Sequence, residues 1–111
     1  MEYKITGKLN NQVVDIPDGT TYTSKELKLK EAEVSGACSL HLVTTGGTLA
    51  VNIEASNSGT DFCVPEGSAS FNHAAGTALY DLDIPICTEM RFTFTASGGD
   101  VQLAMGAVAI Q

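Results

Sequence analysis

The sequence predicts an all-β protein, an antiparallel β-sandwich or jelly-roll-like fold in a single domain spanning residues 1–111. Three observations predict it. Apolar and polar residues alternate with a period of two through most of the chain. Clusters of Gly, Pro, Asn, Asp and Ser divide that alternation into about seven or eight short segments. No segment shows a convincing amphipathic helical repeat. A chain of 111 residues holds one core and is too short for a second.

In chain order, Tyr3 to Leu9 alternates with Tyr3, Ile5 and Leu9 on one face and Lys4, Thr6 and Lys8 on the other. Asn10-Asn11 offers a turn before a second extended run, Val13 to Ile16, which Pro17-Asp18-Gly19 stops. Residues 1–20 thus read as an N-terminal hairpin or arm. Within Thr20 to Glu33, SKELKLKEAE has helix-forming composition and a capping Ser24. Leu27 and Leu29 are two apart, which favours extended chain.

The organising stretch is Cys38 to Phe62. Gly46-Gly47 reads as a hairpin turn, since paired glycines tolerate positive φ. That register sets Leu42 opposite Val51, Leu40 opposite Ile53 and Cys38 opposite Ala55, all apolar. Its other face carries Ser39 with Glu54, His41 with Asn52, and Val43 with Ala50. A one-residue slip inverts both faces. Turn formers Ser56 to Asp61 follow, with Phe62 as an apolar anchor. Ser68 to Thr77 reads as the longest irregular loop. Tyr80, Leu82, Ile84 and Ile86 then share a strand face opposite Asp81 and Asp83. Pro85 places this strand at an edge or ends it. Gly98-Gly99 reads as a second hairpin turn, pairing Phe94 with Leu103, Phe92 with Met105, and Met90 with Ala107.

The final strand is apolar on both faces. Val101, Leu103, Met105, Ala107 and Ala109 line one, and Ala104, Val108 and Ile110 the other, with Gly106 between. Such a strand is covered on both sides, here by a loop of the same molecule or by a neighbouring subunit. Ala104, Val108 and Ile110, with Tyr3 and Ile5 of the first strand, are the candidate interface residues.

The formal charge of −7 opposes binding to nucleic acid or to an anionic membrane. No stretch reaches the roughly 20 apolar residues of a spanning helix, and the N-terminal residues lack the apolar block of a signal peptide. Cys38, Cys63 and Cys87 are widely spaced, with no CxxC pair, and read as free thiols. Two histidines are available to activate a nucleophile. His41 falls on the polar face of the central stretch, and His73 beside Asn72 has no carboxylate at a useful spacing. Asp81 and Asp83 are weak candidates for a calcium ion, which takes about six to eight oxygen ligands. As exposed charges on an edge strand they instead discourage aggregation. No P-loop, GxGxxG or HExxH motif is present. The reading is of a protein that is not an enzyme and uses no cofactor.

The segments VTTGGTLAVNIEASNSGTDF and RFTFTASGGDVQLAMGAVAIQ, behind a polar N-terminal arm, resemble the small β-sandwich structural proteins of tailed bacteriophages. The resemblance runs from about Tyr22 to the end. It rests on strand order and on the Ser56-to-Phe62 turn, which is similar to an S-N-D-G-T-x-W/F turn with Ser58 where an acid is usual. Discoidin-like carbohydrate-binding domains share that turn. The resemblance implies a virion component made in the cytoplasm of a bacterial host, a capsid decoration or head or tail accessory protein. Its partners would be its own copies, in a trimer or hexamer, and a capsid or tail protein. The alternative is a carbohydrate-binding or adhesion module using the Ser68-to-Thr77 loop.

Overall fold

In the computed structural model, residues 5–28, 36–66, 70–84 and 87–110 are described. They form seven strands and no helix: β1 (Ile5–Ile16), β2 (Thr21–Thr23), β3 (Leu27–Lys28), β4 (Gly36–Ser56), β5 (Phe71–His73), β6 (Gly76–Ile84) and β7 (Glu89–Ile110). All pairings are antiparallel. This is the predicted all-β class.

The topology rests on β4 and β7, which are 21 and 22 residues long and pair with each other from end to end. Fully extended, each would reach about 70 Å at roughly 3.3 Å per residue. The longest dimension of the molecule is 41 Å, so both strands fold over. The corner lies where their register shifts, between Gly46 and Thr48, against Gly98 and Gly99. Gly46, Gly98 and Gly99 have φ of 103°, 70° and 132°, a region costly for residues with a Cβ. A Cβ on Gly46 would run into the carbonyl oxygen of Asp100.

Two layers result. One consists of β6, the first arm of β4, the second arm of β7, and β1. The other consists of β5, the second arm of β4, the first arm of β7, and β2 with β3. The core lies between them. Leu40, Leu42, Leu103 and Met105 come from the first layer and Leu49, Val51, Phe92 and Phe94 from the second, all within one buried cluster.

Neither glycine pair is a hairpin turn, contrary to the sequence expectation. Leu42 pairs with Met105 and Ala78 rather than Val51, and Phe94 with Val51 and Tyr22 rather than Leu103. The inward residues are nonetheless those expected. At each corner the flanking inward positions are five apart in sequence, Thr44 and Leu49 on β4, Ala96 and Val101 on β7. That odd spacing shifts the alternation by one, as a two-residue turn also does, so the two arrangements bury the same set.

Ile5–Ile16 form one strand, β1, rather than a hairpin. Asn10-Asn11 sit at a bulge between Leu9 and Gln12, and a further shift separates Ile5 from Gly7. Ile5 and Leu9 therefore lie opposite Ile110 and Ala107, residues on different faces of β7. The described part of the stretch 68–77, residues 70–77, is not an irregular loop. It contains β5 and the start of β6, which pair with β4. β6 pairs only with β4 among the described residues, as the edge position inferred from Pro85 requires. Leu27 is buried in an extended segment, while Leu29 lies outside the described residues.

Thr44 is 4% exposed and its Oγ1 has no hydrogen-bond partner among the described residues. Thr44→Val removes this hydroxyl at nearly constant shape, so the expected result is a gain of about 1 kcal/mol in urea unfolding. A loss would mean that the hydroxyl is hydrogen-bonded in solution.

Candidate functional site

The two outer faces of the folded sheet differ in chemistry. That of the second layer is polar, with Thr21, Thr23, Thr93, Thr95 and Asn52 in register across β2, β7 and β4. Thr21 and Thr95 share a 2.8 Å hydroxyl hydrogen bond. Glu54 accepts a 2.7 Å bond from Arg91 Nε, and the Arg91 guanidinium lies 4.1 Å from the Phe62 ring centroid. This stack anchors the 56–62 turn, as the sequence suggests for Phe62. Within the turn the Ser56 hydroxyl accepts from the N–H groups of Ser58 and Gly59, and the Ser58 hydroxyl from those of Thr60 and Asp61. Ser58 thereby takes the acceptor role that an acid would fill.

The outer face of the first layer carries exposed apolar side chains among polar ones. One row runs Val13, Ala104, Val43 and Thr77 across β1, β7, β4 and β6. The next carries Gly106, His41 and Leu79, and the next Lys8, Val108, Ser39 and Asp81. Ile5, Ile110, Ala37 and Asp83 occupy the last register position. Val13 is 72% exposed, Leu79 66% and Val43 39%. Those values decide how this face is covered: apolar side chains at both margins and the middle are open to solvent, so no loop among the described residues shields them. The small Ala104 and Gly106 keep the centre flat. Asp15, Asp81 and Asp83, all exposed, stand at its margins on β1 and β6.

The structure thus brings Ala104 and Val108 together with the register positions of Ile110 and Ile5. Tyr3 lies outside the described residues. Sequence reasoning missed Val13, Val43 and Leu79. The available signal was Val43 with Ala50, the apolar pair on the supposedly polar face, and Leu79, out of phase with Tyr80 and Leu82.

The remaining candidates are not drawn into a chemical centre. Asp81 and Asp83 face solvent on the edge strand, and no group of three or more His, Cys, Asp or Glu fit to hold a metal occurs among the described residues. Asp100 sits at the corner, where its carboxylate accepts the Asp18 N–H at 2.9 Å beside a cavity of about 410 Å³ walled by Asp15, Pro17 and Thr45. His41 is exposed, as expected. His73 is not in an irregular loop: it is 3% exposed on β5. Its Nε2–H donates to the Gly76 carbonyl at 3.2 Å, leaving Nδ1 to accept from the Tyr80 hydroxyl at 2.8 Å. These bonds join β5 to β6 and supply no base.

All three cysteines are free thiols. Cys38 is buried and its thiol is pushed up to about 12 by desolvation, and burial raises Cys87 as well. Cys63 is exposed, beside a cavity of about 240 Å³ that Asn57, Asp61 and Cys87 also line. The thiolate is the nucleophile, so a maleimide at pH 8 is expected to label Cys63 in the folded protein and the other two only after unfolding. Labelling of Cys38 in the folded state would contradict the packing.

No protein-family model and no curated protein matches the sequence. Among solved structures, the chain is similar to the crystal structure of FLHE, with 14% identity and a TM-score of 0.51 over 99% of this chain and 96% of that one. A family 29 carbohydrate-binding module aligns at 7% identity and TM-score 0.44, covering 91% and 90%. A mutant of the CBM29-2 module aligns at 14% identity and TM-score 0.40, covering 97% and 90%. At these identities the FLHE match shows a shared fold.

Proposed function

We propose that the chain is a non-enzymatic structural protein of a tailed-bacteriophage virion, a capsid decoration or head or tail accessory module. It docks on other virion proteins through the outer face of the β6–β4–β7–β1 layer. The observation that carries the docking role is that face: Val13, Val43 and Leu79 are open to solvent around Ala104 and Val108, while the opposite face is threonine-rich and polar. Contiguous exposed apolar surface of this kind marks an interaction site. The virion setting rests on the sequence resemblance of the two glycine-containing segments and of the Ser56-to-Phe62 turn, a turn that carbohydrate-binding domains share.

A carbohydrate-binding role ranks second. Sugar rings stack on exposed aromatic platforms, whereas Tyr22, Phe62, Phe71 and Tyr80 are half-buried and Phe92 and Phe94 buried. Tyr22, Phe71 and Tyr80 pack against the core, and Phe62 is covered by Arg91.

The test is sedimentation of phage particles assembled with the tagged chain. The wild-type protein is expected to travel with the particles. A Val13→Ser/Leu79→Ser variant with unchanged circular dichroism is expected to stay in the supernatant. Wild-type protein found only outside the particles would overturn the virion role, and co-sedimentation of the variant would overturn the docking face.

A further inference from the structure

Two of the three thiols meet at one end of the second layer. We propose that Cys63 and Cys87 are a dithiol pair that closes reversibly to a disulfide, fastening the 56–66 segment to the start of β7. The proposal stands apart from the docking role.

Ala55, near the end of β4, sets the geometry. It exchanges backbone hydrogen bonds with Cys63 at 2.8 and 3.1 Å. Directly opposed residues of an antiparallel pair project to the same face. Ala55 belongs to the core, so Cys63 enters on the core side at the margin of the layer. On its other side Ala55 pairs with Met90. Three residues before Met90 stands Cys87, 3% exposed. Its neighbour Thr88 donates its N–H to the Ser56 carbonyl at 3.2 Å and to Asn57 Oδ1 at 3.0 Å, which holds Cys87 beside the end of β4. The β7 ladder begins at Glu89, so Cys87 is not kept at a full strand spacing from β4.

The two cysteines thus flank β4 with the small Ala55 between them, and all three line the cavity of about 240 Å³. The Cys87 thiol has no hydrogen-bond partner among the described residues and can turn toward that space. Cys38, on the first arm of β4, does not line it. Exposure is divided between the pair: Cys63 is open to solvent and Cys87 is buried. That division suits Cys63 to meet an oxidant and Cys87 to resolve the product.

A low-molecular-weight disulfide such as oxidised glutathione supplies the oxidant by exchange. The Cys63 thiolate attacks one sulfur, the glutathione S–S bond breaks, and one glutathione leaves as a thiolate that takes up a proton. Cys87, having released its proton to solvent, attacks Cys63 Sγ and expels the second glutathione. Two protein thiols lose two electrons and two protons, and the glutathione disulfide becomes two thiols. Burial pushes the Cys87 thiol up, so the closing rate is expected to rise with pH.

The reduced protein is incubated with oxidised glutathione at pH 8 and read by intact mass and peptide mapping. The wild type is expected to lose two hydrogens, retain no glutathione and yield a Cys63–Cys87 cross-linked peptide that dithiothreitol releases. Cys87→Ser, its fold verified by circular dichroism, is expected to stop with one glutathione on Cys63. Amide exchange over residues 57–62 is expected to slow by about tenfold or more in the oxidised wild type. Wild-type protein that keeps glutathione on Cys63, joins Cys63 to that of a second copy, or links Cys87 to Cys38 overturns the pair. A Cys63–Cys87 bond that leaves exchange over 57–62 unchanged overturns the fastening.

Discussion

Replacing Gly46 by alanine is expected to cost at least about 3 kcal/mol and to broaden or abolish the cooperative unfolding transition. Two effects combine at this position. A φ of 103° strains any residue with a Cβ, and the new methyl meets the backbone carbonyl of Asp100 on the neighbouring strand. Backbone cannot rotate away as a side chain can, so β4 and β7 must separate at the corner that folds the sheet. Gly98→Ala is the control. Its φ of 70° is also left-handed, but a methyl there meets nothing within 4 Å, so only the conformational cost, about 1 kcal/mol, is expected. Urea unfolding of the two variants side by side separates strain from collision. Equal losses would mean that Gly46 is not pressed against β7.

Phe92→Ala is expected to lose about 3–5 kcal/mol, a large share of the roughly 5–15 kcal/mol that holds a domain of this kind together. Phe92 is 0% exposed, pairs across the ladder with Ile53, and lies 6.2 Å from the Phe94 ring centroid. Few other aromatic side chains are fully buried, so there is little bulk nearby to collapse into the space. By contrast, Val43→Ser on the open face is expected to change stability by less than about 0.5 kcal/mol. Thermal unfolding of both distinguishes core from docking surface. A loss at Val43 comparable with that at Phe92 would mean that this face is packed within the chain.

The buried half of the fold is legible in the sequence because β-strand alternation reports which face is inward whatever lies beside it. Period-two spacing assigns Leu40, Leu42, Val51, Phe92, Phe94, Leu103 and Met105 inward, and all are buried. Partner choice is not legible. Gly46-Gly47 permits either a tight reversal or a corner in a continuing strand, and both shift the alternation by one residue. What decides between them is the long-range pairing of β4 with β7, about which local chemistry is silent. The edge position of β6 is readable from Pro85, since a missing N–H has a defined consequence in a ladder.

The candidate site is half legible. The doubly apolar β7 exposes Ala104 and Val108 to inspection, because alternation should make one of its faces polar. Val13 and Leu79 join them only through register, from strands far apart in the sequence. The same holds for the carboxylate rim, in which Asp15 and Asp81 flank one sheet face because β1 and β6 lie on either side of the β7–β4 pair.

Carboxyl footprinting tests the docking account most directly. Carbodiimide-activated labelling, read by mass spectrometry, is compared between the free protein and the protein assembled on particles. Asp15, Asp81 and Asp83 are expected to become protected on assembly while Asp61, on the 56–62 turn, labels equally in both states. Protection of Asp61 with continued labelling of Asp81 and Asp83 would contradict it, placing the contact on the turn rather than on the β6–β4–β7–β1 face.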